Sequence, residues 1–315
     1  MRASAARRLG LPGSGAVARD ARTEATLDVL QAAVDPWTQP LTDETLFAWH
    51  AALFPTGRSG VMRIVTGAYR THAEPMQIVT SRLGRPDIVH YQAPDSADVP
   101  AHMAQLLAWF VQSPATLDGL VRAALAHLWL ETIHPFEGGN GRIGQALVEL
   151  ALAQDMQSSQ RLFSLSQQLW LDRAGYYAQL QAATRQANMD VTPWVLWFVA
   201  CVEKACNATF EQMQAALAKN RYWAEVNNSH PSLSASQRKA LGRLFDAQPD
   251  AQPDDLAGGM SIEKYVHLTS VSRATAYREL TELAELGLLN KTGQGRGTRY
   301  QWVVSGVQTG SASPQ

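Results

Sequence analysis

The chain has 315 residues, 46% hydrophobic and 17% charged, an apolar content that excludes a disordered chain and suffices for two or three cores. Its formal net charge of -1 excludes a global basic field, so any contact with nucleic acid or anionic lipid has to come from a local patch. The two cysteines, Cys201 and Cys206, lie five apart in an apolar helical stretch, a spacing unsuited to a metal knuckle or a bridge within one helix, which fits a reducing, cytoplasmic setting.

No apolar run reaches the roughly eighteen uninterrupted residues of a membrane span, so no membrane partner is expected. Residues 1–22, rich in Arg and small side chains, lack the apolar stretch of a secretory signal and read as a frayed N-terminal extension. From Thr23 to Leu53 the apolar positions Leu27, Leu30 and Val34, then Leu41, Leu46, Trp49 and Leu53, predict two helices separated by Pro36 and Pro40. In GVMRIVTGAYRTHAEPMQIVTSRLGRPDIVHYQAPD, short β-branched runs around a Gly and Pro turn predict a β-hairpin. AHMAQLLAWFVQS and LDGLVRAALAHLWLETIH return to helical periodicity, and Pro135 is expected to stop the second helix just after His134.

A further helix, GRIGQALVELALAQDM, starts straight out of a glycine turn, and YYAQLQAATRQ and WVLWFVACVEKACNATFEQMQAALAKNRYW continue the helical pattern. AQPDAQPDDLAGGM reads as a connection and VQTGSASPQ as a disordered tail over residues 305–315.

The stretch between two of these helices, HPFEGGNGRIGQ, concentrates the chemistry. A helix ending at His134 and another starting near Asn140 would point unpaired N–H groups into the space beneath the histidine, where they and the helix dipole attract phosphate. Gly139 and Gly141 would let a phosphate approach the backbone, Arg142 would bind its oxygens with two parallel hydrogen bonds, and His134 would act as a base on an incoming hydroxyl. His127, Glu131 and His134 also recur at four and three on one helix face, a metal-like spacing, but nothing else in the sequence completes such a site and His127 is expected to pack or bond internally.

This order resembles the Fic family motif HPFx(D/E)GNGRxxR, matching at His134, Pro135, Phe136, Gly139, Asn140, Gly141 and Arg142, with the likeness running from about Thr23 to Phe210. The resemblance implies a mostly α protein: a Fic-like catalytic domain at 23–228, built as a helical bundle with the hairpin as a flap. It also implies transfer of AMP from ATP to a Ser, Thr or Tyr hydroxyl of a target protein docked on the flap. His134 would be the catalytic base, Gly139, Asn140, Gly141 and Arg142 would hold the nucleotide phosphates, Phe136 would anchor the loop, and Tyr177 would line the adenine pocket. Two positions depart from the pattern. Mg²⁺ is expected by the resemblance, yet Gly138 stands where the family has its acidic Mg²⁺ ligand, with Glu137 one residue earlier, and Gln145 replaces the second arginine, so it can hydrogen-bond a phosphate without neutralising it.

Relatives often carry an inhibitory helix [S/T]xxxE[G/N]; no convincing copy stands here, and the resemblance places that helix upstream of ASAARRLGLP. The C-terminal segment from Ser261 to Trp302 resembles a winged helix-turn-helix domain, expected over 229–304, with SRATAYRELTELAELG as recognition helix and SASQRKALGRLF as support. Ser261 and Ser272 are N-cap candidates and Gly287 a C-cap. Arg273, Thr275 and Arg278 would face a DNA groove, with Lys291, Arg296 and Arg299 forming a basic wing, while Glu279, Glu282 and Glu285 make the later helix acidic. Docking of a protein, including a second copy as a homodimer, is the competing role for this domain. Two readings therefore stand side by side: a nucleotidyl transferase, or a DNA-binding or scaffolding protein whose catalytic core has lapsed through Gly138 and Gln145.

Overall fold

The apolar spacing ahead of Pro36 forms α1 (Ala21–Val34), whose N-cap Asp20 accepts the Arg22 N–H, and the spacing after Pro40 forms α2 (Asp43–Leu53), capped by Thr42. The computed structural model describes residues 20–82, 85–160, 163–185, 190–246 and 258–303. Most of the expected N-terminal extension, most of the AQPD-containing connection, the C-terminal tail and the side chain of Arg296 lie outside the described residues.

A short hairpin, β1 (Arg58–Ser59) with β2 (Met62–Arg63), precedes the expected one. All four of its residues are exposed, so it has no alternating pattern to announce it in the sequence. The expected hairpin is β3 (Gln77–Arg82) and β4 (Arg85–Gln92), antiparallel with register shifts between Ile78 and Val79 and between Thr80 and Arg82. Tyr91 on β4 donates its hydroxyl to Thr132 O at 2.8 Å, which ties this flap to the helical body.

The body is built around α5 (Asn140–Met156), where Ile143, Gly144 and every residue from Ala146 to Ala153 are buried. A helix buried on all faces is the centre of its bundle. It packs against α1 and against α4 (Gly119–Ile133), while α3 (Val99–Gln112) packs on the other side of α4. Leu46, Phe110, Leu130, Phe136, Ile143 and Leu147 belong to one continuous core, each such side chain contributing roughly 1.5–3 kcal/mol by burial. The helices α6 (Leu165–Leu171), α7 (Arg173–Arg185) and α8 (Thr192–Ser229) follow, and Trp194 donates its indole N–H to Ala124 O at 2.8 Å.

Two compact units divide between Glu211 and Gln212, earlier than the expected boundary at 228/229. The physical reason is that Tyr222, Trp223 and Val226 of α8 pack into a second core with Leu241, Tyr265, Leu280 and Tyr300. That second unit comprises α9 (Ala235–Asp246), α10 (Ile262–Thr269), α11 (Arg273–Glu285) and the antiparallel pair β5 (Leu289–Thr292) and β6 (Arg299–Trp302), with Met260 bridging Tyr300. Ser261 caps α10 by accepting the Lys264 N–H, and Ser272 caps α11 by accepting the Thr275 N–H. Gly287, at φ 73, follows α11, where Leu288 donates to Leu283 O to close the helix end. One acidic residue of the helix is not a surface charge: the Glu279 carboxylate is buried, accepting from Ser234, Ser236 and the Tyr265 hydroxyl. No helix among the described residues is long and apolar enough to cross a membrane.

Candidate functional site

α4 stops at Ile133, one residue before the sequence predicts. His134 is the C-cap, in the left-handed conformation at φ 50 and ψ 59, and its N–H reaches Leu130 O at 2.8 Å. A β-carbon there costs about 1–2 kcal/mol, while Pro135 disfavours the right-handed alternative. The turn therefore needs an external hold.

Arg70 supplies it. This buried guanidinium donates from Nε to His134 O at 2.8 Å, from Nη2 to Ile133 O at 3.3 Å and Pro94 O at 2.5 Å, and from Nη1 to Ser96 Oγ at 2.8 Å. Its main-chain N–H reaches Pro135 O at 2.9 Å. Nothing in a lone arginine within GAYRTH marks it in the sequence, because its acceptors are carbonyls brought together only by the fold.

His50 is the second residue that sequence reasoning misses. Its Nδ1 accepts the Gly67 N–H at 3.1 Å, which leaves the proton on Nε2 to be donated to Gly138 O at 3.1 Å. Burial holds this imidazole below its usual pKa and therefore neutral. Its ring stacks on Phe136 with centroids 4.3 Å apart, and Phe136 is fully buried in the anchoring place expected for it.

The loop closes on itself through Asn140, whose Oδ1 accepts the Phe136 N–H at 3.0 Å and whose Nδ2 donates to Phe136 O at 2.8 Å. Both polar atoms of this side chain are engaged, so Asn140 shapes the loop and offers an anion only its main-chain N–H. Gly139 has φ 81, and a β-carbon there would meet the Phe54 ring at 2.8 Å, so the position requires glycine. It also puts no side chain over the start of α5, whose first N–H groups lack a side-chain cap.

Arg142, in the first turn of α5, lies over the Phe54 ring at 4.7 Å, and its Nη1 is buried with no hydrogen-bond partner. Burial, with the charge of Arg22 adding, lowers its pKa to about 10, so it stays cationic at neutral pH. Gln145, one turn on, has its Oε1 accepting from Ser166 Oγ at 3.0 Å, so its acceptor end is already held inside the protein. Tyr177 lines a small cleft together with Tyr91, Glu131, Thr132 and Gln181.

The His134 side chain retains 17% exposure, enough for a reactant to touch it. Its pKa is pushed down to about 4, chiefly by burial; the Glu131 carbonyl opposes the shift and the charge of Arg70 adds to it. At neutral pH the ring is an uncharged base.

A divalent cation does not fit the residues present. Gly138 brings no ligand, and Glu137 accepts the Val65 N–H at 3.0 Å through Oε2. Among the described residues no group of three His, Cys, Asp or Glu side chains could hold a metal ion. His127 instead bonds the Tyr176 hydroxyl through Nε2 at 2.9 Å and stacks on Trp194, the internal packing expected for it.

In the second unit Arg273, Thr275 and Arg278 lie in the first turns of α11, and Arg299 and Lys291 on the hairpin strands. Arg273 is paired with Glu263 at 2.9 Å, and Thr275 takes part in the Ser272 cap, so two of the three helix positions are already engaged locally.

The fold and the loop define a mostly helical protein in which a neutral histidine ends one helix and a glycine-led, uncapped helix start with an unpaired arginine follows. Residues 40–152 match the model of the Fic/DOC family. The chain is 31% identical over 143 residues to the protein adenylyltransferase fic-1 of Caenorhabditis briggsae, covering 45% of this chain and 25% of that one. It is 26% identical over 178 residues to the protein adenylyltransferase Fic of Culex quinquefasciatus, covering 56% of this chain and 31% of that one. The matched segments thus span a quarter to a third of the length of these relatives. A crystal structure of a Fic family protein from Desulfovibrio desulfuricans G20 aligns with 97% of this chain and 81% of that one at 19% identity and a TM-score of 0.49.

Proposed function

We propose that the first unit transfers AMP from ATP to a hydroxyl side chain of a protein. The observation that carries the reading is the buried, unpartnered Nη1 of Arg142 beside the uncapped start of α5: an unpaired buried cation is costly, and a phosphate ester would satisfy it. In the transfer, neutral His134 takes the proton of the target hydroxyl, and the target oxygen forms its bond to the α-phosphorus. The bond from that phosphorus to the oxygen bridging to the β-phosphate breaks, and pyrophosphate leaves with the electron pair. Arg142 and the main-chain N–H groups of Asn140 and Gly141 stabilise the phosphate charge, while the Arg70 clamp keeps His134 in place. The flap β3 and β4 fits the docking of an extended target segment by strand pairing.

Incubation with α-labelled ATP is expected to label protein, in the chain itself or in a cell lysate, whereas γ-labelled ATP is not. Label from the γ position alone would point to phosphoryl transfer and defeat the reading. The double variant Gly138→Asp, Gln145→Arg is expected to raise the rate about tenfold or more when Mg²⁺ is supplied, through the added charge on metal and phosphate. A β-carbon at position 138 approaches nothing nearer than 3.6 Å, so the aspartate is accommodated.

For the second unit we infer a winged helix-turn-helix, supported by three helices followed by a hairpin and by the Met260 bridge to Tyr300. DNA contact through its basic positions is tested by the salt dependence of binding. Replacing Lys291 and Arg299 by alanine is expected to weaken binding and flatten its salt dependence by about one to two charges. Unchanged, salt-insensitive binding would discount the wing.

A further inference from the structure

Beneath the start of α5 lies a carboxylate that the transfer step has not used. Glu131 is one turn before the left-handed cap, its side chain 7% exposed, with Oε2 3.8 Å from His134 Nδ1. Its Oε1 is buried with no partner. A β-carbon at Gly141 would stand 3.6 Å from this Oε1, and one at Gly144 would stand 3.5 Å from it and 2.9 Å from His127 Nδ1, itself buried without a partner. Two glycines of α5 therefore leave room beside one carboxylate oxygen, Glu131 Oε1, and one imidazole nitrogen, His127 Nδ1, that have no protein partner. Leaving a buried carboxylate oxygen unpaired costs stability, and an apolar or amide side chain of the same shape would avoid that cost.

We propose that Glu131 is the positioning residue for His134: its main-chain carbonyl, 3.4 Å from Nδ1, holds the proton there so that Nε2 faces the target hydroxyl, and its carboxylate, 3.8 Å from the same nitrogen, balances the imidazolium formed when the hydroxyl proton arrives. The inference rests on the reading of His134 as the base. In atoms, the proton leaves the hydroxyl for Nε2, the Nδ1 proton stays shared between His134 and the Glu131 side, and no other bond changes on the enzyme.

The surroundings are consistent with a pair tuned against water. From its own helix Glu131 faces His127 and His134, from α7 it feels Tyr176, and Tyr91 of β4 and Tyr177 line the same cleft. Arg70 is the cation acting on His134, and Arg142 is the charged side chain of the facing turn of α5. Burial alone raises the Glu131 carboxyl to about 7, while burial is the largest cause lowering His134 to about 4.

The deciding experiment combines histidine ring ¹⁵N NMR titration with steady-state rates for wild type and Glu131→Gln. In wild type, His134 is expected as the Nδ1–H tautomer with an inflection near neutral pH from the neighbouring carboxyl. In the variant that inflection disappears while the main-chain carbonyl keeps the Nδ1–H tautomer, and kcat falls at least about tenfold with the KM for ATP changed less than twofold. An unchanged titration, or an unchanged kcat, overturns the proposal. If neither protein transfers label, the adenylyl-transfer reading fails, and the titration alone decides the positioning role. If Glu131→Gln does not fold, a wild-type His134 curve without the second inflection overturns the proposal.

Discussion

His134→Ala is expected to lower the rate of label transfer by about 10²–10⁴-fold while leaving ATP binding near its wild-type level, because the ring contributes proton transfer and not phosphate binding. Single-turnover rates at saturating ATP measure the first, and calorimetric titration of ATP the second. A residual rate within tenfold of wild type would show that another group takes the proton.

The same histidine carries a pH signature. Its folded pKa, about 4, lies below the ordinary value, and buried His127 is also pushed down to about 4. Both groups therefore bind protons more readily in the unfolded chain, so their effect is absent above the unfolded pKa of 6.5, and stability falls as pH drops from there towards 4. Glu131 acts with the opposite sign: its raised pKa leaves the native state unaffected below 4.5, and stability falls as pH rises from there through 7. The two limbs overlap between pH 4.5 and 6.5, where two histidines outweigh one carboxyl, so the stability of the first unit is expected to rise with pH towards 6.5, and His134→Ala to flatten that rise in thermal melts.

Arg70→Ala is the second large effect. It removes one guanidinium that satisfies Ile133 O, His134 O and Pro94 O, and it leaves the left-handed turn at His134 without its hold. A loss of about 3–5 kcal/mol is expected from several charge-assisted bonds broken in a buried site. In a unit of this size that loss lowers Tm by roughly 10 °C. Activity at a temperature where the variant is still folded should drop at least about tenfold, since a base displaced by an ångström loses its alignment. Arg70→Lys is expected not to rescue either property, because an ammonium has no fork to reach acceptors in three directions. A lysine variant with wild-type Tm and rate would mean that the charge alone suffices.

The double variant at Gly138 and Gln145 bears on why the loop departs from the Fic motif at those positions. Gln145 turns its carbonyl oxygen to Ser166 and Glu137 turns its carboxylate to Val65, so each is built into local bonding and not left over from a missing partner. The Asn140 side chain is likewise built into local bonding: with both polar atoms bonded to Phe136 it braces the loop.

Local order determined much of this protein by itself. Helical periodicity with Pro36, Pro40 and Pro135 as breaks gave the helices of the first unit, and Ser261, Ser272 and Gly287 marked the ends of those in the second. The HPFEGGNGRIGQ run placed a base and a helix start within one turn of each other, because those relations span fewer than a dozen residues. Only the tertiary structure decided what surrounds them. Arg70 lies 64 residues from the carbonyl of His134 it binds, and His50 lies 88 from the carbonyl of Gly138. Glu131 neighbours His134 by the three-residue spacing of one helix, but its burial, beside Gly141 and Gly144 of α5, came only with the fold. Periodicity reports which side of a helix is apolar; it carries no record of which distant carbonyl or imidazole that side will meet, and burial, which sets the charge state of every group in this site, exists only once they have met.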